Sequence, residues 1–253
     1  MPLAIELVPC LTDNYAYLIE DTAAGVCAVV DPSEAPPVQR ALKGRRLTHI
    51  LNTHHHFDHT GGNQALKAEF GATVVGPEKD RERIPAIDVG VVEGQDWSLG
   101  PHRARILEIP AHTRAHIAFV FEDANAAFTG DTLFAMGCGR LFEGTPAMMW
   151  ASLSKLMRLA DGTRVYCGHE YTLNNGRFAL TVEPDNRDLQ ARMQDVALLR
   201  DKGKPTIPST IGLEKRTNPF LRPDSPEIRK VLNMVEADNV AVFGELRRRK
   251  DNF

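Results

Sequence analysis

The stretch "NTHHHFDHTGGN" at residues 52–63 crowds four of the chain's nine histidines and an aspartate into positions 54–59. Such a string is either a solvated histidine-rich loop or a metal site, because imidazole and carboxylate are ligands suited to zinc, iron or manganese. In an extended segment the side-chain period is two, so His54 and His56 point the same way. A turn directly afterwards lets Asp58 and His59 face a neighbouring point. Gly61 and Gly62 are expected to supply the backbone freedom for that turn, with a helix starting there.

Three other places decide between the readings. "ARILEIPAH" delivers His112 just past an apolar run, "NAAFTGD" delivers Asp131 in the same way, and "TRVYCGH" delivers His169. Like "LTHILNTH", each sets a metal-capable side chain one to three positions beyond the end of a predicted strand. Functional residues gather on loops at one edge of a rigid sheet, so four such strand ends point to one site.

Strand signals dominate the first two-thirds of the chain: "LAIELVP", "YAYLIED", "VCAVVDP", "LTHILNT", "ATVVGP", "ARILEIP", "IAFVFED", "AAFTGD" and "RVYCGH" are β-branched or apolar runs punctuated by Gly, Pro, Asp or Asn. Helical patterns lie between some of them. One is "TPAMMWASLSKLMRLADG", with Thr145 as N-cap, Pro146 at the first helical position and Gly162 as its stop. Beyond about residue 170 only helices are predicted, and in one of them Leu189, Met193, Val196 and Leu199 share an apolar face. Strands with interspersed helices followed by helices alone predict an α/β domain and a small helical domain.

The bulk properties fit that organisation. The 253 residues suffice for one large domain or for a larger one with an appendage. With 43% hydrophobic and 25% charged residues and a formal charge of −3, nothing calls for a nucleic-acid or membrane partner. The N-terminal "MPLAIELVPCLTDN" lacks a basic leader, and no stretch approaches the roughly 20 apolar residues needed to span a bilayer. Cys10, Cys27, Cys138 and Cys167 are scattered without a C-x-x-C pair. They read as reduced thiols, which places the protein in the cytoplasm.

His54, His56, Asp58, His59, His112, Asp131 and His169 make a set of donors too large for one tetrahedral ion. They suit two ions sharing a bridge, and Asp131 is the natural bridge because a carboxylate has two oxygens. Two cations about 3.5–4 Å apart hold a water between them and lower its pKa towards about 7. The expected chemistry is hydrolysis, with no serine or cysteine nucleophile.

These residues resemble the metallo-β-lactamase superfamily, which implies a four-layer α/β/β/α sandwich followed here by a C-terminal helical domain. Within it the chain is similar to glyoxalase II, the hydroxyacylglutathione hydrolases. That match rests on "GDTLFAMGCGRLFEGTP", "YCGHEYTLNNGRFALTVEP", "PSTIGLEKRTNPFLR" and the ending "LRRRKDNF". The resemblance implies a catalytic domain over residues 1–169 and a substrate-binding helical domain over 170–253. It implies two divalent ions, zinc before iron or manganese, with His54, His56 and His112 on one, Asp58, His59 and His169 on the other, and Asp131 between them.

The implied substrate is S-D-lactoylglutathione, hydrolysed to D-lactate and glutathione by a monomeric enzyme in the second step of methylglyoxal detoxification. Asp58 is implied as the proton acceptor. Arg140, Arg247 and Lys250 are implied to meet the glycine carboxylate of glutathione, and Tyr171 its backbone. Phe142 stands where many members have Tyr, so one hydroxyl contact is lost. Taken by itself, "RRRK" reads first as a solvated basic helix end; the resemblance reverses that reading for Arg247 and Lys250 and leaves Arg248 and Arg249 to solvent.

His55 is expected to support the ligands rather than coordinate, and His116 to steady a loop or open a strand. Cys138 is expected to pack. The rival readings are a lactonase, a β-lactamase or a phosphodiesterase on the same fold, or a mononuclear-iron persulfide dioxygenase. The helical segment 170–253 counts against the dioxygenase.

Overall fold

The β-branched runs at the start of the chain fold as strands that pair in sequence order. The computed structural model describes residues 3–253; Met1 and Pro2, the first residues of "MPLAIELVPCLTDN", lie outside the described residues. The chain forms two compact units. One runs up to Glu108 and includes Ala115–Gly130, and the other combines Ile109–Arg114 with Asp131–Phe253.

In the first unit, β1 (Ala4–Cys10), β2 (Asn14–Asp21) and β3 (Val26–Val30) form an antiparallel meander. The helix α1 (Ala35–Leu42) then carries the chain to β4 (His49–Leu51), which lies parallel to β3. The short α2 (Phe57–Thr60) and α3 (Asn63–Phe70) lead to β5 (Thr73–Pro77) and then to β6 (Val89–Val91), both parallel additions. Parallel neighbours need such crossovers, which is why helical patterns separate these runs. Val29, Ile50 and Val74 from the sheet meet Val38 and Leu42 of α1 and Leu66 of α3 in a buried core. A second set, β7 (Asp96–Leu99), β8 (His102–Glu108), β9 (Ile117–Phe121) and β10 (Ala126–Gly130), is antiparallel throughout. Every residue of β9 and β10 is buried, which explains the unbroken apolar run of β9 and the small or apolar residues of β10, with Thr129 its one polar side chain.

The second unit opens with a tight hairpin, β11 (Leu133–Phe134) with β12 (Gly137–Cys138). The helix α4 (Pro146–Leu156) starts as expected, with the Thr145 hydroxyl accepting from the Met148 amide at 3.3 Å. It ends six residues short of Gly162, because the intervening residues coil into turns that bury Leu159. Next come β13 (Arg164–Cys167), α5 (Thr172–Val182) and α6 (Arg187–Asp201). The chain then makes β14 (Ser209–Thr210), α7 (Ile211–Thr217), α8 (Pro226–Leu232) and α9 (Asn239–Asp251).

The expectation of helices alone after residue 170 therefore needs correcting. β14 pairs antiparallel with β13, and its two residues are too few to show a strand period. Leu189, Met193 and Val196 gather with Met136 and Ala179 in a core of their own. Among the described residues no helix is long and apolar enough to cross a membrane.

A buried ion pair organises this unit. Glu214 is fully buried and accepts from the Arg192 guanidinium at 2.6 Å, from the Met136 amide at 2.8 Å and from Asn218 Nδ2 at 3.0 Å. Asn218 also donates to the carbonyls of Phe134 and Gly137, and Asn175 to that of Ala135. The hairpin is thus clamped through its backbone by side chains of α5, α7 and the residue after α7. Removing one partner of such a pair leaves an uncompensated buried charge. Glu214→Ala is expected to lose about 3–5 kcal/mol of stability in a denaturant melt; a loss below about 1 kcal/mol would mean that the pair is dispensable.

Candidate metal centre

In the first unit the histidine cluster leaves the sheet at the C-terminal end of β4. The Asp31 amide donates to the Leu51 carbonyl at 2.9 Å, which sets the carboxylate at the end of β3 beside the chain leaving β4. Asp31 has a φ of 47°, a left-handed backbone that Asp tolerates better than most residues. Its Oδ1 accepts from the Thr53 amide at 2.8 Å. Its Oδ2 accepts from the Thr53 hydroxyl at 2.7 Å and from His59 Nδ1 at 3.1 Å. Because that hydroxyl proton is spent on Asp31, Thr53 Oγ1 accepts from His54 Nδ1 at 3.0 Å.

One buried carboxylate therefore fixes the tautomers of His54 and His59, leaving Nε2 as the lone-pair nitrogen of each. The two rings lie 4.2 Å apart, and the His56 ring is 4.8 Å from His54. Asp58 receives Asn14 Nδ2 on its Oδ2 at 3.0 Å, and the same oxygen lies 3.7 Å from His59 Nε2.

The turn after the cluster differs from expectation. Gly61 and Gly62 have φ of −61° and −82°, values open to any residue. What they provide is space: a Cβ on Gly61 would sit 2.4 Å from the Ser33 carbonyl oxygen, and one on Gly62 2.9 Å from that of Pro32. His55 turns aside to Asp80 Oδ2 at 2.8 Å and Arg83 at 3.2 Å, the supporting position expected of it. His116 is buried and stacked on His54 with ring centroids 4.6 Å apart.

In the second unit, Asp131 Oδ2 lies 3.5 Å from His112 Nε2 and 3.3 Å from His169 Nε2, so one carboxylate faces two imidazoles. His112 Nδ1 meets the Arg140 carbonyl at 3.0 Å. A carbonyl only accepts, so Nδ1 carries the proton and Nε2 again holds the lone pair. The approach is close, since a Cβ on Gly139 would fall 1.9 Å from the Asp131 carbonyl oxygen and 3.0 Å from His112 Nδ1. Ala111, just before His112, has a φ of 146°, a strained value of the kind that clusters at functional sites. Tyr171 stacks on His169 with centroids 4.6 Å apart, and Phe142 is mostly exposed with its ring 5.2 Å from that of His112.

The basic tail sorts its residues. Arg247 is buried, donates to the Cys138 carbonyl at 2.8 Å and lies over Phe220 at 5.1 Å. Its other edge faces Asp251 Oδ1 at 2.9 and 3.1 Å, while Arg140 reaches that oxygen only at 3.8 Å. Burial, helped by the cations of Arg247 and Arg140, depresses the Lys250 ammonium to about 8. Arg248 and Arg249 pair instead with Glu245, and their hydrogen bonds pull that carboxyl down to about 2. Cys138 is buried and its thiol is pushed up to about 11 by burial, which suits packing and not nucleophilic attack.

The donor chemistry fits a divalent metal. Imidazoles whose Nδ1 protons are held by carboxylate, hydroxyl or carbonyl oxygens, together with carboxylates, are what borderline cations select. A family model of the metallo-β-lactamase superfamily matches residues 11–169. The chain belongs to that superfamily and binds divalent metal. A second model, described as the hydroxyacylglutathione hydrolase C-terminus, matches residues 170–253.

Two curated relatives are named hydroxyacylglutathione hydrolase. The one from Methylococcus capsulatus is 53% identical and the one from Maricaulis maris 51%, each over 99% of both chains. Within the superfamily, the chain is a member of the hydroxyacylglutathione hydrolase family. Among solved structures, ETHE1 from Myxococcus xanthus superposes with a TM-score of 0.67 at 25% identity over all of both chains. BLEG-1, a B3 metallo-β-lactamase, gives 0.67 at 22% identity, covering 87% of this chain and 100% of its own. The metallo-β-lactamase fold followed by the C-terminal helical region is as expected from the sequence.

Asp31 was missed in the sequence although it obeys the same rule as its neighbours: "VCAVVDP" ends a strand on a carboxylate. Both its oxygens are committed to Thr53 and His59, so it orients the imidazoles of His54 and His59. Asp31→Asn is expected to weaken metal binding about 10–100-fold in competition with a chelating dye; an unchanged affinity would remove the orienting role.

Proposed function

We propose that this chain hydrolyses S-D-lactoylglutathione and related S-2-hydroxyacylglutathiones, acting in the cytoplasm as a metal-dependent thioester hydrolase. Water adds to the thioester carbonyl, the carbon–sulfur bond breaks, and D-lactate and the thiol of glutathione leave. The observation that carries this reading is the coincidence of two things in one chain. The ligand-bearing strand ends lie in a metallo-β-lactamase match, and the whole of residues 170–253 matches the C-terminal region of hydroxyacylglutathione hydrolases. A lactonase or a persulfide dioxygenase on this fold is not favoured, since neither accounts for that C-terminal match.

The site we propose takes His54, His56 and His112 for one ion and Asp58, His59 and His169 for its neighbour, with the carboxylate of Asp131 serving both. The ions are zinc in this reading, and when bound they supply Lewis acidity and a water acidic enough to lose its proton near neutrality. Asp131 holds its carboxylate towards both His112 and His169, as a shared ligand must. Asp58, partly exposed and steadied by Asn14, takes the proton released from the attacking water.

Arg247, Lys250 and Arg140 provide three cations for the glycine carboxylate of glutathione, for which an arginine edge is well shaped. Tyr171 presents an exposed aromatic face beside His169 for the peptide. Phe142 offers a ring and no hydroxyl. The four cysteines are unbridged and buried, which supports work in a reducing compartment.

The purified chain is expected to consume thioester absorbance and release thiol, to stop when a chelator is added, and to recover when divalent metal is restored. Absence of turnover at full metal loading would sink the reading. Lys250 adds a pH signature. Its ammonium is charged below about 8 and neutral above it, so anchoring is intact at neutral pH and lost as pH rises through that value. KM is expected to climb above pH 8 in the wild type, and the climb to vanish in Lys250→Met; the same climb in both would assign it elsewhere.

A further inference from the structure

Arg247 is the buried member of the basic tail, and its bidentate edge is already filled. The Nε and Nη2 atoms meet one oxygen of Asp251 at 3.1 and 2.9 Å, while Nη1 is spent on the Cys138 carbonyl. Asp251 presents the same chemical group as the glycine end of glutathione, at the position where that end is expected. We infer that Asp251 is a built-in placeholder, a carboxylate that occupies the Arg247 edge until the substrate's carboxylate displaces it, and so sets the affinity for carboxylate-bearing substrates. This rests on the reading of the substrate as a glutathione thioester.

The chemistry of Asp251 favours release over permanent pairing. It is the last residue of α9, where the helix dipole disfavours an anion, so Arg247 and not the helix retains it. Its side chain is 40% exposed, against 6% for Arg247, so the carboxylate can turn into water while the guanidinium stays in place over Phe220. A carboxylate exposed on its own side of an i,i+4 pair can be exchanged for another carboxylate without stripping the guanidinium of its counter-charge. In the resting protein it still matters, because a buried guanidinium with no counter-charge is costly. The stacking on Phe220 and the bond to the Cys138 carbonyl hold Arg247 in position during the exchange.

The test is calorimetric binding of S-methylglutathione, and of its analogue with the glycine carboxylate converted to an amide, to metal-loaded wild type, Asp251→Asn and Asp251→Glu. Asp251→Asn is expected to bind the carboxylate probe roughly two- to fivefold more tightly than wild type. The amide probe should bind both equally, and Asp251→Glu should return to the wild-type level. Equal or weaker binding of the carboxylate probe by Asp251→Asn overturns the placeholder, as does a gain shared by the amide probe, which would mark a merely structural effect. If the wild type neither binds the carboxylate probe nor turns over thioester, the substrate reading itself fails and the placeholder falls with it. Binding by the wild type without the predicted difference removes the placeholder alone.

Discussion

A single buried carboxylate, Asp31, governs how the histidine cluster can be used. It stands at the end of one parallel strand, holds the backbone and hydroxyl of Thr53 at the end of the next and through that hydroxyl fixes His54, and it holds His59 directly. Without that chain of hydrogen bonds, adjacent imidazoles would choose tautomers independently and their Nε2 atoms would not be presented together. The parallel pairing of β3 with β4 is what brings the two strand ends side by side. The sheet therefore acts on the chemistry through one residue.

The second unit solves the same problem by different means. Asp131 precedes a short hairpin of two-residue strands, whose backbone is held from outside by Glu214, Asn218 and Asn175. Glu214 is held in place by Arg192, and the cost of burying that pair is offset by the hydrogen bonds it accepts from the Met136 amide and Asn218. The hairpin that follows Asp131 is thus held by side chains far along the sequence. The same helical region supplies the buried Arg247, so ligand orientation and the proposed carboxylate recognition share one framework.

Much of this is legible in the sequence alone. Metal donors must be His, Asp or Cys, and loops at strand ends are where a sheet can present them, so His54, His112, Asp131 and His169 stood out. Nine of the strands announced themselves by β-branched or apolar runs, α4 by its cap and α6 by its apolar face. Other features were not legible, for physical reasons. Asp31 looks like any strand-terminating aspartate until its partners are known. Gly61 and Gly62 suggest torsional freedom, whereas the need is room beside the carbonyls of Ser33 and Pro32. β14 is too short for periodicity, and Glu214 sits in a sequence that reads as an ordinary charged helix. Burial turned that charge into the centre of a network, and burial is a tertiary fact.

The central proposal is that the histidine and aspartate donors hold two ions, and that thioester hydrolysis needs both. The most direct measurement is titration of zinc into the metal-free protein while thioester turnover is followed in parallel. Turnover that reaches its plateau only at the second equivalent is the predicted result. A plateau at the first equivalent, or turnover in the metal-free protein, would contradict it.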